Sequence, residues 1–380
     1  MKLRPGTPEE AGMNPEKVLL VEKEIIDYMN AGNTYAFIML SARHGIVFMN
    51  KVFGKASHEA GSPPLQANTI FPMSSITKLF TATAAMILSE EGKLDIRKPV
   101  QYYVPEFIGE DKEKTLVVQL MTHTSGIEDK TVWDWYDKNK ATIKTPAPEK
   151  NQSLHMAEYL YPGYIAPLWK KPGVEMSYCN YNAVLLGDIV RRVSGQSYEA
   201  FVKERILKPL GMNNTYMPVP PEVRDRIIRR PPVDGVDWYT DPGHLESANP
   251  ASGMYSIADD MAVFCQMYLN KGTYSGARIL SPESVKEMTR NQIPGICSHF
   301  NDEFFPEAGW GYGWDVPFGK NTSGSLCSAK AFTHGGSGGV ITFADPHFDL
   351  LWVRFCVHAQ PEPRPITGKL SDMIIEAIES

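Results

Sequence analysis

The chain has 380 residues, 43% of them hydrophobic and 22% charged, with a formal net charge of −6; this is the composition of a globular protein long enough for one large or two ordinary domains. An acidic balance with no block of like charges excludes the basic stripe that nucleic acid or an anionic membrane surface requires. No apolar run approaches bilayer length and Met1-Lys2-Leu3-Arg4-Pro5-Gly6 lacks the apolar core of a secretory signal, so no membrane span is expected and the location is read as cytoplasmic, or exported with the signal removed.

In chain order, Val18, Leu19, Val21, Ile25, Ile26 and Met29 recur at helical spacing over 14–30, with Gly32 beyond the end. Two apolar runs, Ala36 to Leu40 and Ile46 to Met49, flank Arg43-His44-Gly45 and read as a hairpin. A helix from about Ser75 to Glu90, stopped by Gly92, is apolar nearly all round and therefore expected to be buried. Helices follow over 181–194, 197–207 and 257–270. Strands return at 339–343 and 350–357 around Asp345-Pro346-His347, and a last helix covers about 369–378. Strands at both ends with a helical middle predict an α+β fold: an antiparallel sheet flanked by helices and built from both termini, with an inserted all-helical domain. The expected division is 1–70 with 251–380 for the sheet and 71–250 for the helices, the site lying in the cleft between. The five cysteines are widely spaced without C-x-x-C, which favours reduced, mostly core thiols over a disulfide framework or zinc knuckle.

Chemistry concentrates first at Ser75-Ile76-Thr77-Lys78. Residues three apart share a helix face, and the free N–H groups of a helix start favour an oxyanion. Ser74 is placed to cap that helix, with Pro72 separating it from what precedes. A chain this long contains S-x-x-K about once by chance, so position carries the reading: burial strips a lysine of its proton unless partners hold it, and a neutral amine beside a hydroxyl is a general base. The alternative is a lysine snorkelling to solvent. Tyr178-Cys179-Asn180 is the second candidate. Unlike the Y-x-N tripeptides at Tyr28 and Tyr268, which fall at helix ends, it lies in a loop opened by Pro172-Gly173. There Tyr178 can shuttle a proton and Asn180 can position Lys78 and a substrate carbonyl.

His334-Gly335-Gly336-Ser337-Gly338-Gly339 is the third. Its glycines allow close approach of a sheet edge and the Ser337 N–H can act as an oxyanion donor; the bland reading is a glycine-rich strand end with a packed histidine. Gly335, Ser337 and Gly339 also spell G-x-S-x-G, but a nucleophile elbow needs a helix after its serine, and Val340 to Phe343 reads as strand. His123, in Leu120 to Gly126, is read as a loop hydrogen-bonding group ahead of a base. Nine scattered histidines without H-E-x-x-H, no Walker A and no G-x-G-x-x-G after a strand leave no metal or cofactor expected. The aromatic segment Glu128 to Lys170 and Trp310-Gly311-Tyr312-Gly313-Trp314 are each either a wall over an acyl pocket or ordinary packing.

Ser-x-x-Lys, Tyr-x-Asn about a hundred residues later and a late His-x-Gly resemble the serine β-lactamase and penicillin-binding superfamily, in the branch of class C β-lactamases, D-alanyl-D-alanine carboxypeptidases and family VIII carboxylesterases. Gly92-Lys93-Leu94-Asp95, Leu120 to Gly126, Pro209-Leu210-Gly211-Met212 and Ala251-Ser252-Gly253-Met254-Tyr255-Ser256 extend the resemblance over most of the chain. It implies Ser75 as acyl-enzyme nucleophile, Lys78 as base, Tyr178 as proton shuttle, Asn180 as positioning group, His334 and Gly336 in the third motif, and the N–H groups of Ser75 and Ser337 as the oxyanion hole. The β-lactamases carry Lys-Thr-Gly at the third motif, and His334-Gly335-Gly336 stands in its place here. A neutral imidazole is a weak carboxylate anchor, which argues against efficient β-lactam hydrolysis. The expected function is a serine carboxylesterase or acyl transferase on small esters. The alternatives are a D-amino-acid peptidase or weak β-lactamase, and a non-catalytic ligand sensor. The partner is a small ester, amide or β-lactam, and nothing in the chain specifies an oligomeric state.

Overall fold

The computed structural model describes residues 1–232, 236–300, 303–317, 323–357 and 365–379. Six strands, β1 (Arg4–Pro5), β2 (Ala36–Arg43), β3 (Ile46–Gly54), β4 (Phe332–Gly336), β5 (Val340–Asp345) and β6 (Leu350–Cys356), form one sheet in the order β1-β3-β2-β6-β5-β4. Only β1 pairs in parallel; the other neighbours are antiparallel. The two chain ends meet where Leu40 of β2 lies opposite Val353 of β6, as strands at both ends of the sequence foretold. The 36–54 hairpin and the 340–356 pair are where expected. Because β5 follows Ser337 as strand, the G-x-S-x-G match is no elbow.

Both faces of the sheet are covered, which explains why its central strands read as unbroken apolar runs. Phe37 and Met39 of β2 pack with Trp352 against Val21 and Ile25 of α1 (Pro15–Asn30). Ile38 and Leu40, pointing the other way, join a second cluster with α2 (Thr77–Glu90). In α2 every side chain from Thr77 to Leu88 is buried. Its small residues Ala82, Ala84 and Ala85 let neighbours approach, and its threonines find partners inside: Thr81 Oγ1 lies 2.7 Å from the Pro250 carbonyl, and Thr83 Oγ1 lies 2.8 Å from Tyr268 Oη. The helices that matter next are α3 (Asp129–Asn139), α4 (Asn180–Ser194) and α5 (Ala258–Leu269); α6 (Pro365–Glu376) closes the chain, starting at Pro365 instead of about residue 369.

The helix expected over 197–207 is built differently. Tyr198–Val202 is α-helical, Lys203–Leu207 widens into a π turn, and Lys208–Leu210 ends at Gly211 in the left-handed region. Pro209 has no N–H for the Arg205 carbonyl and its ring would press on it, and the wider turn removes that conflict. Among the described residues, no helix is long and apolar enough to cross a membrane.

Candidate active site

The site starts from a short bridge. Phe71–Pro72 pairs with Tyr255–Ser256, and the Met73 N–H donates to the Met254 carbonyl at 2.8 Å, which fixes the chain just before the serine. Ser74 then takes a left-handed conformation, φ 46°. It does not cap α2 as the sequence suggested: its Oγ donates instead to the Ser337 carbonyl at 3.1 Å, tying the helix entrance to the end of β4. Ser75 lies in a 3-10 turn, Ser74–Ile76, ahead of the α-helix proper.

Lys78 is 3% exposed, so the snorkelling alternative is excluded. Its Nζ sits 2.8 Å from Asn180 Oδ1, 3.1 Å from the Ala251 carbonyl and 3.2 Å from Ser75 Oγ. Two of these partners only accept; the serine hydroxyl can do either. The Tyr178 ring lies over the same nitrogen, 5.0 Å from centroid to Nζ.

Tyr178 precedes α4 in an extended segment held by its neighbours. The Ser177 N–H donates to the His123 carbonyl at 2.9 Å, and His123 Nδ1 accepts the Cys179 N–H at 3.2 Å. The His123 ring packs on Tyr178 at 4.7 Å, and Trp310 meets Tyr178 edge-on at 5.8 Å. His123 is thus a loop-bonding and packing group, as read from the sequence. The five-residue aromatic motif divides: Trp310 joins the site while Trp314 is fully buried in the core. The aromatics of 128–170 pack mainly among themselves and on α4, with Trp133 against Tyr159 at 5.1 Å and Tyr159 stacked on Tyr181 at 6.0 Å.

Asp129, which no sequence motif singles out, anchors this segment. Oδ2 accepts the Asn180 N–H at 2.8 Å and its Nδ2–H at 3.0 Å; Oδ1 accepts the Tyr181 N–H at 2.9 Å and the Cys179 thiol at 3.1 Å. A carboxylate at a helix N-terminus takes up donors that have no partner within the helix. Burial and the adjacent Asp129 push the Cys179 thiol well above its usual range, so it remains a donor. No local signal marked it: Asp129 sits between Glu128 and Lys130 like an ordinary charged helix start, and its partners lie fifty residues away.

The third motif runs along β4. His334 is 3% exposed, and its Nδ1–H donates to the Gly335 carbonyl at 2.8 Å, which leaves Nε2 as the acceptor nitrogen. Nε2 is buried and meets no hydrogen-bond partner among the described residues. Burial first, and the Lys78 charge second, push this imidazole down to about 3, so it is neutral at physiological pH. Its ring centroid lies 6.2 Å from that of Tyr178. Gly335 and Ser337 are exposed, facing outward between buried neighbours. The Ser337 carbonyl also accepts from Tyr239 Oη at 3.4 Å. The structure therefore brings Ser75, Lys78, Tyr178, Asn180, His334, Gly336 and Ser337 into one neighbourhood, with Ser75, Tyr178 and Asn180 half-buried. A separate cavity of about 630 Å³ on the flank of α4, lined by Met156, Val184, Trp238, His244 and Pro250 among others, includes none of them.

Comparison with known proteins agrees with this architecture. A family model described as Beta-lactamase matches residues 21–370. A protein of Salmonella schwarzengrund (strain CVM19633), provisionally named a D-alanyl-D-alanine carboxypeptidase, is 26% identical over 386 residues, spanning 90% of this chain and 83% of its own. Among solved structures, EstCE1, described as a hydrolase with promiscuous acyltransferase activity, superposes with a TM-score of 0.77 at 21% identity, covering 94% of this chain and 98% of its own. A family VIII carboxylesterase does so with a TM-score of 0.73 at 21% identity, covering 96% and 99%. At these identities the two structures speak to the fold.

Proposed function

From the premise that this chain belongs to the Beta-lactamase family and is a serine hydrolase of that fold, we propose that it is a carboxylesterase or acyl transferase working on small esters through an acyl-enzyme on Ser75. The observation that carries this reading is the seat of Lys78 Nζ between Asn180 Oδ1, the Ala251 carbonyl and Ser75 Oγ. The two carbonyl oxygens accept two of the amine's N–H groups, and the third position on the nitrogen faces the Ser75 hydroxyl, so release of that one proton would aim a lone pair at Oγ.

In this reading Lys78 takes the Ser75 proton as Oγ attacks the ester carbonyl, and the N–H groups of Ser75 and Ser337 hold the oxyanion. Tyr178, beside the same amine, delivers a proton to the departing alkoxide. Asn180 holds the amine and the substrate carbonyl. Water then attacks the acyl-enzyme to give the acid, or a second alcohol attacks it to give a new ester. In this reading the substrate is taken between the sheet part, 1–70 with 251–380, and the helical part, 71–250.

Esters are favoured over carboxylate-bearing substrates by the third motif. His334 is neutral and Gly335 carries no hydroxyl, so neither supplies the charge or the donor a substrate carboxylate needs. A second reading, a D-amino-acid peptidase or weak β-lactamase, draws support from the name of the Salmonella relative. Turnover of p-nitrophenyl butyrate, nitrocefin and a D-Ala-D-Ala peptide, compared side by side, separates the two. The ester alone turning over supports the proposal. Preference for the peptide or nitrocefin overturns it in favour of the second, and no turnover with no phosphonate adduct on Ser75 leaves a non-catalytic sensor.

A further inference from the structure

We infer that Asp129 is a positioning residue for catalysis, acting through Asn180 to aim the amine of Lys78 at Ser75; the inference rests on the serine-hydrolase reading above. An asparagine amide is nearly symmetric in shape, so only its partners decide which end faces the lysine. Here the decision is made by Asp129. Oδ2 accepts from the backbone N–H of Asn180 and from its side-chain Nδ2, at 2.8 and 3.0 Å. With Nδ2 committed to the carboxylate, Oδ1 must point the other way, and it lies 2.8 Å from Lys78 Nζ. Turned over, the amide would present N–H to N–H and push the amine out of line with the hydroxyl 3.2 Å away.

The carboxylate is suited to this because it only accepts. Its second oxygen is held by the Tyr181 N–H at 2.9 Å and the Cys179 thiol at 3.1 Å, so four donors from three consecutive residues fix its orientation. An isosteric amide at position 129 cannot do the same: one end becomes a donor and faces donors. Rotation of Asn180 relieves that conflict, at the cost of the lysine's acceptor.

The test is a double-mutant cycle on ester hydrolysis by the full chain, with thermal unfolding followed in parallel. Asp129→Asn is expected to lower kcat about 100-fold, the scale of a small misplacement of a catalytic group, with KM within about threefold. In an Asn180→Ala background, where no amide remains to orient, the same substitution is expected to lower kcat further by less than about twofold. Asp129→Glu, which keeps an acceptor-only group, is expected to retain at least a tenth of wild-type kcat, about tenfold more than Asp129→Asn. Wild-type kcat in Asp129→Asn, full multiplication of its effect in the Asn180→Ala background, or Asp129→Glu no better than Asp129→Asn would each overturn the inference. Activity surviving in Ser75→Ala would instead overturn the hydrolase assignment beneath it.

Discussion

The backbone carbonyl of Met73 occupies the space beside Gly336 where a side chain would begin: a Cβ built there would lie 2.2 Å from that oxygen and 2.5 Å from Val340 Cγ2. The end of β4 is thereby pressed against the segment that carries Ser75, and the contact is backbone against backbone. The close approach that the glycines allow is first of all to the protein's own chain.

Gly336→Ala should therefore force the Met73 to Ser75 segment or β4 to move. We expect a loss of stability of about 1–3 kcal/mol, as for other overpacked sites, and a fall in kcat of about 100-fold from displaced groups. Gly335 is the control. The nearest atom to its Cβ position is 3.9 Å away, so Gly335→Thr should fold within about 1 kcal/mol of wild type while adding the hydroxyl missing from the third motif. Thermal unfolding and ester kinetics on both variants check this, and equal tolerance of the two would contradict the packing account.

His334 makes stability depend on pH. Its folded value, about 3, lies below the ordinary histidine value near 6.5, so between those limits the unfolded chain binds the extra proton. Above pH 6.5 the penalty is absent. As pH falls below it, stability drops by up to about 1.4 kcal/mol per unit from this residue. His334→Gln should flatten the fall in unfolding midpoint between pH 6.5 and 4 relative to wild type. An unchanged slope would show that the imidazole is charged or exposed in the native state.

Asp188 on α4 is the most heavily committed buried acid described. Its side chain is 2% exposed, and it accepts from Arg191 Nε and Arg192 Nε at 2.8 Å each and from Tyr164 Oη at 2.9 Å. Removing one partner of a buried pair leaves the other's charge uncompensated. Asp188→Ala should cost about 3–5 kcal/mol, read as a shift in urea midpoint at unchanged slope. A loss under about 1 kcal/mol would mean that Glu149, which already pairs with Arg191 at 2.7 Å and with Arg192 at 2.9 Å, compensates the two arginines together with water.

Much of this was legible in the sequence where one local pattern decides the outcome. The hairpin from Ala36, the buried helix after Ser75 and the late strand pair followed from periodicity and turn residues. The third motif reaches the Ser75 segment where Gly336 packs on Met73, and Tyr178-Cys179-Asn180 reaches it through the start of α4, where Asn180 meets Lys78. What stayed hidden depended on distant partners. Ser74 reads as a cap but turns left-handed to reach Ser337, more than 250 residues away in sequence. Asp129 reads as an acidic first turn of α3, and only the fold sets it against the start of α4. The π turn at Lys203–Leu207 comes from Pro209 acting on a helix that otherwise continues.

The central claim is an acyl-enzyme on Ser75, and rapid quenching with p-nitrophenyl butyrate followed by intact-mass and peptide analysis tests it most directly. The wild-type chain should gain one butyryl group, on the peptide containing Ser75, and Ser75→Ala should gain none and release no nitrophenol above background. Acylation at another residue, or turnover by Ser75→Ala at the wild-type rate, would contradict it.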